Sequence, residues 1–253
     1  MKGQDDVFKR FYESFQHMDG HFHILEHRVP VEQQMAYFTY SDRIRKEICE
    51  MTDAGYERYM ADLKHDERSI EEKKHILSKL ALSKQVRAYR LLEQYVQHPD
   101  PDLDPELVNW AYMALMESRI TLESELSGEK QIYISTGLGG KKQKLRFYVL
   151  ILSFGGEPFF DYQRKVIEKE FGYTLSRADC EIERLSIGDK YVELVFLVPV
   201  KADLKKILEN VIRECNLYGN FLSEIFTVTN VKELTPEEVG QIVEKYGHDK
   251  AGR

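Results

Sequence analysis

The sequence predicts an α+β protein in which a helical part is followed by a smaller part with alternating strands and helices. Residues 69–126 show the apolar spacing of amphipathic helices. Beyond Gly128, apolar runs of strand length alternate with helical patterns. We therefore expect a helical domain at residues 1–128, an α/β domain at 129–234, and a C-terminal helix with a frayed tail at 235–253.

The helical part contains clear start and stop signals. Ser69 and Glu72 have the spacing of a capping box at the start of one helix. Asp104 and Pro105 suit the N-cap and first turn of a later helix. Successive helices joined by short turns resemble the hairpins of HEAT or TPR arrays. No motif repeats at a fixed period, however, and a plain helical bundle is the alternative.

The α/β part contains six elements in the order strand, helix, strand, strand, helix, strand. The predicted ranges are 144–153, 161–171, 180–187, 191–200, 203–215 and 225–231. This is the β-α-β-β-α-β order of a ferredoxin-like fold. In that fold the first and third strands are central, and here those two runs are the most continuously apolar. Residues 131–136 are expected to add a hairpin strand to 144–153, through a glycine turn at 137–140.

A ferredoxin-like sheet carries both helices on one face, so its second face needs a cover. An apolar patch of this kind is uncommon on soluble monomers. Its expected members are Tyr148, Leu150, Leu152, Val195 and Leu197. We expect the helical part, a second subunit or a ligand to cover it. In the first helix of this domain, the apolar positions are Tyr162, Val166 and Ile167, with Gly172 as the expected C-cap.

Charge and composition narrow the functional classes. The chain carries a net charge of −7, which falls on residues 1–130 because basic and acidic side chains balance in 131–253. An acidic first half disfavours broad nucleic-acid binding, so we expect no DNA partner. No apolar run approaches the ~20 residues that span a bilayer, and we expect no membrane association. Three widely separated cysteines and the polar N-terminus favour a cytoplasmic protein.

Residues 137–146 are the most distinctive candidate binding site. Glycines, whose backbone N–H groups can hold anions, stand beside four cations. The candidate residues are Gly137, Gly139, Gly140, Lys141, Lys142, Lys144 and Arg146. A small anion or RNA is the expected ligand. The alternative is a hairpin turn whose lysines prevent edge pairing. The glycine spacing excludes a P-loop and a dinucleotide fingerprint.

Gly155 and Gly156 form a second candidate, at the junction between a strand and a helix. In regulatory modules of the ACT type, this junction binds an amino acid against backbone N–H groups. The sequence resembles those modules only in topology and in its glycines at this point. The alternative is a loop that requires unusual backbone angles.

Catalytic and metal-binding patterns are sparse. His21 and His23 would share one face of a strand and are candidate metal ligands, although a solvated connection is the alternative. The first core strand ends without a carboxylate, which excludes the two-metal chemistry of polymerase-palm and cyclase domains. Glu117, Glu123 and Glu125 are expected on a solvated helix face.

These patterns together predict a non-catalytic interaction or adaptor protein that binds a protein partner or itself. The alternative is a regulatory module that binds a small anionic ligand or RNA at 137–146 or 155–156. No constellation favours an enzyme, and no cofactor is expected.

Overall fold

The computed structural model describes residues 13, 21–47, 52–64, 68–97, 104–129 and 131–246. From residue 21 onward, these form two compact units, residues 21–137 and 138–246. The protein has a mixed α+β architecture, with helices first and strands dominating the C-terminal part. In the described ranges, no helix combines the length and apolar character that a bilayer crossing requires.

The N-terminal unit is built around its longest described helix. Its helices are α1 (Val31–Ile44), α2 (Asp53–Lys64), α3 (Ile70–Leu82), α4 (Val86–Gln97) and α5 (Pro105–Ser127). α5 packs against α1, α3 and α4, and their shared core buries Leu77 and Leu92 completely. The capping box predicted at the start of α3 is confirmed. The backbone N–H of Ser69 donates to Glu72 Oε2 at 2.9 Å, and that of Glu72 donates to Ser69 Oγ at 3.3 Å.

A two-stranded parallel sheet belongs to the same unit. β1 (His21–Ile24) pairs with β2 (Gln131–Ile134). The expected hairpin between residues 131–136 and 144–153 is therefore wrong. Pairing with β1 buries Ile24 and Ile134, and the backbone N–H of Leu25 continues the ladder to the Ile134 carbonyl at 3.2 Å.

The C-terminal unit contains one antiparallel sheet and three helices. Its elements are β3 (Gly140–Lys141), β4 (Lys144–Ser153), α6 (Asp161–Arg177), β5 (Glu181–Ile187), β6 (Tyr191–Pro199), α7 (Leu204–Asn216), β7 (Leu222–Thr229) and α8 (Pro236–Tyr246). β4 and β6 are central. β5 flanks β6, while β7 and the short β3 pair with the other edge of β4. α6 and α7 pack against each other, and α6 continues five residues past the expected end at Gly172.

Helix α8 covers the sheet face that was expected to need protection. The packed set comprises Leu138, Tyr148, Leu150, Leu152, Val195 and Val239, with Leu234, Ile242 and Val243 at its edge. The backbone N–H of Thr235 donates to Glu238 Oε2 at 2.9 Å, which fixes the start of α8. The cover is thus a helix of the same unit, whereas the sequence pointed to the helical part, a second subunit or a ligand.

Candidate functional site

The outer face of α6 carries aromatic and basic side chains in alternation. The side chains recur at spacings of three and four residues: Tyr162, Lys165, Lys169, Tyr173 and Arg177. Such spacing places them on one side of a helix. All five are exposed, including 53% of Tyr162 and 62% of Tyr173. We call these five residues the α6 stripe.

No carboxylate lies within the α6 stripe. With 3.6 residues per turn, Asp161, Glu168 and Glu170 project roughly 80° to 120° away from Tyr162, and Asp161 and Glu168 border the stripe about 40° and 60° from Lys165. Glu170 lies toward α7, where its charge helps to raise the pKa of the Cys215 thiol. Lys165 and Lys169 form no ion pair with another described residue. Their ammonium groups are therefore available to an anionic partner.

The aromatic rings of this region present flat faces to solvent. Phe160 precedes α6 and is 66% exposed. Its ring is nearly parallel to that of Tyr162, with an angle of 10° and 6.1 Å between the centroids. At the other end of the stripe, the Arg177 guanidinium lies 5.5 Å from the centroid of Tyr173. Both ends of the stripe thus offer a platform on which a planar group can stack.

The chain before α6 determines which aromatic side chain faces outward. Phe159 is buried against Phe221 in an edge-on contact with 6.2 Å between ring centroids. Its backbone N–H donates to the Asp189 carbonyl at 2.7 Å. Phe160 has extended backbone angles, and consecutive side chains of an extended segment point to opposite sides. Anchoring Phe159 inside therefore places Phe160 in solvent.

The candidate anion site at residues 137–146 is a tight hairpin in which two of the three lysines contact carboxylates. β3 and β4 pair directly, and the turn between them holds Lys142 at a φ of 55°. Lys141 Nζ lies 3.3 Å from Glu181 Oε1, and Lys144 Nζ lies 2.8 Å from Asp179 Oδ1. Gly139 also has a positive φ, of 66°. Ligand binding at this segment stays a prediction.

Arg146 differs from the three lysines of this segment because its side chain is buried. Its guanidinium donates to both carboxylate oxygens of Glu183 and, at 2.6 Å, to the Leu138 carbonyl. β6 lies between β4 and β5, so the side chain crosses Leu197 to reach Glu183. A bulge in β5 lies between Ile182 and Arg184 and contains Glu183. Arg146 therefore ties three segments of the unit together.

Gly155 and Gly156 lie in a short 3₁₀ turn after β4, with φ values of 70° and 74°. Positive φ favours glycine at both positions. The turn leads to the anchored Phe159, so these glycines also shape the approach to α6. Their assignment as a ligand site stays a prediction.

The candidate metal ligands do not form a described cluster. The side chain of His21 lies outside the described part of the structure. His23 Nε2 contacts Gln131 Oε1 at 2.6 Å and Glu123 Oε2 at 3.0 Å. Across the described ranges, no group of three or more His, Cys, Asp or Glu side chains could hold a metal ion.

Glu117 is a buried hydrogen-bond acceptor, contrary to the expectation that it lies on a solvated face. Only 9% of its side chain is exposed. Tyr37 donates to it at 2.7 Å, Ser41 at 2.8 Å, and Arg45 at 3.0 Å. Burial, together with the charge of Glu117, holds the pKa of Tyr37 well above its usual value. This network fixes α1 on α5.

Two buried thiols and one buried phenol are held in their neutral forms. Burial raises the pKa values of the Cys180 and Cys215 thiols to about 12. Burial, together with a 2.8 Å hydrogen bond to Glu193, raises the pKa of Tyr148. None of these three groups is ionised at neutral pH.

The buried thiols predict a loss of stability in alkali. An unfolded thiol ionises near pH ~8.5, so above that pH the unfolded state releases protons that the native state retains. The free energy of unfolding is therefore expected to be flat below pH ~8 and to fall as the pH rises toward the native values. Each buried thiol should contribute a fall of about 1–2 kcal/mol between pH ~8 and ~10.

Urea unfolding of the wild type and of Cys215→Ala across this pH range tests the prediction. The variant should show the shallower decline, because it lacks one of these two buried thiols. The cavity left by the substitution lowers stability at every pH and leaves the slope untouched. Parallel declines in the two proteins would contradict the prediction.

Comparisons with known proteins give limited matches. No family model and no curated protein matches the sequence. A protein from Deinococcus radiodurans R1, assigned as a transposase, matches with 15% identity and a TM-score of 0.34, over 45% of this chain and 96% of that one. A REP-associated tyrosine transposase bound to a REP hairpin matches with 10% identity and a TM-score of 0.31, over 44% of this chain and 72% of that one. At these TM-scores, neither match defines the chemistry of this chain.

Two predictions from the sequence are nevertheless corrected. Both similar structures are described as transposases, and one of them is bound to a REP hairpin. The predicted non-catalytic adaptor, with its alternative of a regulatory anion or RNA module, is wrong against this finding, and so is the exclusion of DNA. The prediction of no DNA partner relied on the net charge summed over residues 1–130 and 131–253. A phosphate responds to the charge within about a Debye length, and the α6 stripe is locally basic.

Proposed function

We propose that the C-terminal unit binds single-stranded DNA along the α6 stripe. The observation that carries this proposal is the alternation of exposed tyrosines with lysines and an arginine on one helix face, with no carboxylate among them. Unpaired bases stack on exposed aromatic rings, which contributes roughly 1–3 kcal/mol per base. The intervening phosphates pair with the cations.

The length of the stripe sets the expected site size. From Tyr162 to Arg177 the helix rises about 22 Å, at ~1.5 Å per residue. This length accommodates about four or five nucleotides, near the lower end of single-strand binding sites.

The chemistry of the stripe favours single-stranded DNA over two related ligands. In a duplex, the faces of the bases are stacked on one another and cannot reach Tyr162 or Tyr173. RNA differs from DNA by its 2′-hydroxyl, which a protein recognises with hydrogen-bonding groups. In the α6 stripe only the two tyrosine hydroxyls can accept a hydrogen bond from it, since the lysines and the arginine are donors alone.

We also propose the ferredoxin-like description for this unit. The strand order β5-β6-β4-β7, the antiparallel pairing and the insertion of α6 and α7 between strands support it. The domain boundaries at residues 128 and 234 stay predictions.

Fluorescence anisotropy with a labelled 12-nucleotide strand tests the proposed function. We expect saturable binding at 50 mM salt that weakens as salt rises, with a slope of log K against log salt near about −2 for three phosphate contacts. A duplex of the same sequence should bind at least about tenfold more weakly. Absence of binding, equal binding of the duplex, or a strong preference for the matching RNA strand would contradict the proposal.

A further inference from the structure

Phe160 and Tyr162 form a solvent-facing pair of parallel rings at the start of the α6 stripe. The angle between the rings is 10°, and the centroids lie 6.1 Å apart. Exposure of 66% and 53% leaves large parts of both rings uncovered. Aromatic side chains of this size normally bury most of their surface, so two neighbouring exposed rings need a partner of their own.

The two rings present parallel faces to a nucleobase. Their planes differ by only 10°, so a base that stacks on one exposed ring face runs parallel to both rings. Stacked aromatic planes lie ~3.4 Å apart, which is the spacing of bases in a DNA strand. A base in this orientation gains stacking contact from the pair.

Gln163 fixes the backbone of Phe160 and contacts the Tyr162 hydroxyl. It is buried, its Oε1 accepts a 2.8 Å hydrogen bond from the Phe160 backbone N–H, and its Nε2 donates to the Tyr162 hydroxyl at 3.4 Å. The anchored Phe159 fixes the chain on the preceding side. A pair held by a buried side chain is preorganised, which reduces the entropy lost when a ligand binds.

The charges around the pair indicate which part of a nucleotide it receives. Asp161 lies between the two aromatic residues and would repel a phosphate. Lys165 and Lys169 follow on the next two turns of the stripe. When a base stacks on the ring pair, the phosphates next to it are therefore expected to pair with the two lysines.

We propose that Phe160 and Tyr162 hold one unpaired base of the strand on the α6 stripe by stacking, a contact that we call the clamp, and that the clamp favours the larger purine rings. The inference rests on the proposed binding of single-stranded DNA. It specifies the substrate class as DNA in which a purine is unstacked beside a single-stranded stretch.

A 12-nucleotide thymidine strand with one central 2-aminopurine tests the clamp, because the emission of this base falls when it stacks on an aromatic ring. Wild-type protein should quench the emission and bind this strand more tightly than the all-thymidine strand. Phe160→Leu and Tyr162→Leu should each lose the quenching and about tenfold in affinity for the 2-aminopurine strand. Both positions are exposed, so melting temperatures near that of the wild type will verify folding.

The matched control is Tyr173→Leu, which removes an exposed ring from the far end of the same stripe. This variant should keep the quenching and the purine preference while its overall affinity falls. If wild-type protein binds the strand but Phe160→Leu and Tyr162→Leu retain the quenching and affinity, the clamp is overturned and the proposed function stands. If wild-type protein binds neither strand, both are overturned.

Discussion

Replacing Glu183 with Ala is expected to destabilise the C-terminal unit by about 3 kcal/mol. The guanidinium of Arg146 donates to both carboxylate oxygens of Glu183, and only 11% of the arginine side chain is exposed. Removing the carboxylate takes away two hydrogen bonds and a negative charge from a desolvated guanidinium, which costs more than a lost surface ion pair. The partial exposure of Glu183, at 27%, places the expected value at the lower end of the usual range for buried pairs.

A second variant separates the charge effect from the packing effect. In Arg146→Met/Glu183→Leu, both charges are removed and apolar groups fill the space. This double variant should be more stable than Glu183→Ala, because no buried charge is left unpaired. Urea unfolding, followed by circular dichroism, gives the free energy of unfolding of the wild type, of Glu183→Ala and of the double variant.

Glu181→Ala is the matched control, two residues away on the same strand. Glu181 contacts Lys141 at 3.3 Å, but both side chains are about half exposed. Such a pair contributes about 0.5 kcal/mol or less. A loss for Glu183→Ala no larger than that for Glu181→Ala would show that Arg146 does not depend on its carboxylate partner.

The elements of the C-terminal unit could be predicted because their signals are local. The apolar runs at 144–153 and 191–200 correspond to β4 and β6. α7 is amphipathic over its whole length and lies within one residue of the predicted range at each end. In each case, a periodic pattern inside a single segment reports which side of that segment is buried.

Pairing between distant segments could not be predicted in the same way. The alternation in residues 131–136 indicates a strand but fits either β4 or β1 as its partner. β1 lies more than a hundred residues earlier, and no local pattern connects the two. The packing of α8 on the second face of the sheet could not be predicted for the same reason. The apolar side chains of α8 meet those of the sheet only once the chain has folded.

The candidate site was missed although its signal is present in the sequence. Tyr162 was counted with Val166 and Ile167 as an apolar position, whereas more than half of its surface is exposed. The spacing of Tyr162, Lys165, Lys169, Tyr173 and Arg177 is visible without coordinates. Sequence alone does not show that this side of α6 faces solvent. A tyrosine at helical spacing fits the buried side of an amphipathic helix as well as the exposed side.

Reversing the two lysine charges of the stripe should abolish most binding of single-stranded DNA. Lys165→Glu/Lys169→Glu is expected to lose at least roughly thirtyfold in affinity at 50 mM salt, because two phosphate contacts become repulsive. Each lost contact should also make the slope of log K against log salt shallower by about 0.7. Both side chains are exposed, so the unfolding transition should remain close to that of the wild type.

The control for total charge is Lys46→Glu/Lys64→Glu, which alters two exposed lysines of the N-terminal unit by the same amount. Because neither lysine belongs to the α6 stripe, its affinity should stay within about twofold of the wild type at the same salt concentration. Equal losses in the two double variants would mean that the DNA responds to the net charge of the protein. A loss confined to Lys165→Glu/Lys169→Glu would instead place the phosphates on α6, because only a local contact can distinguish two changes of identical total charge.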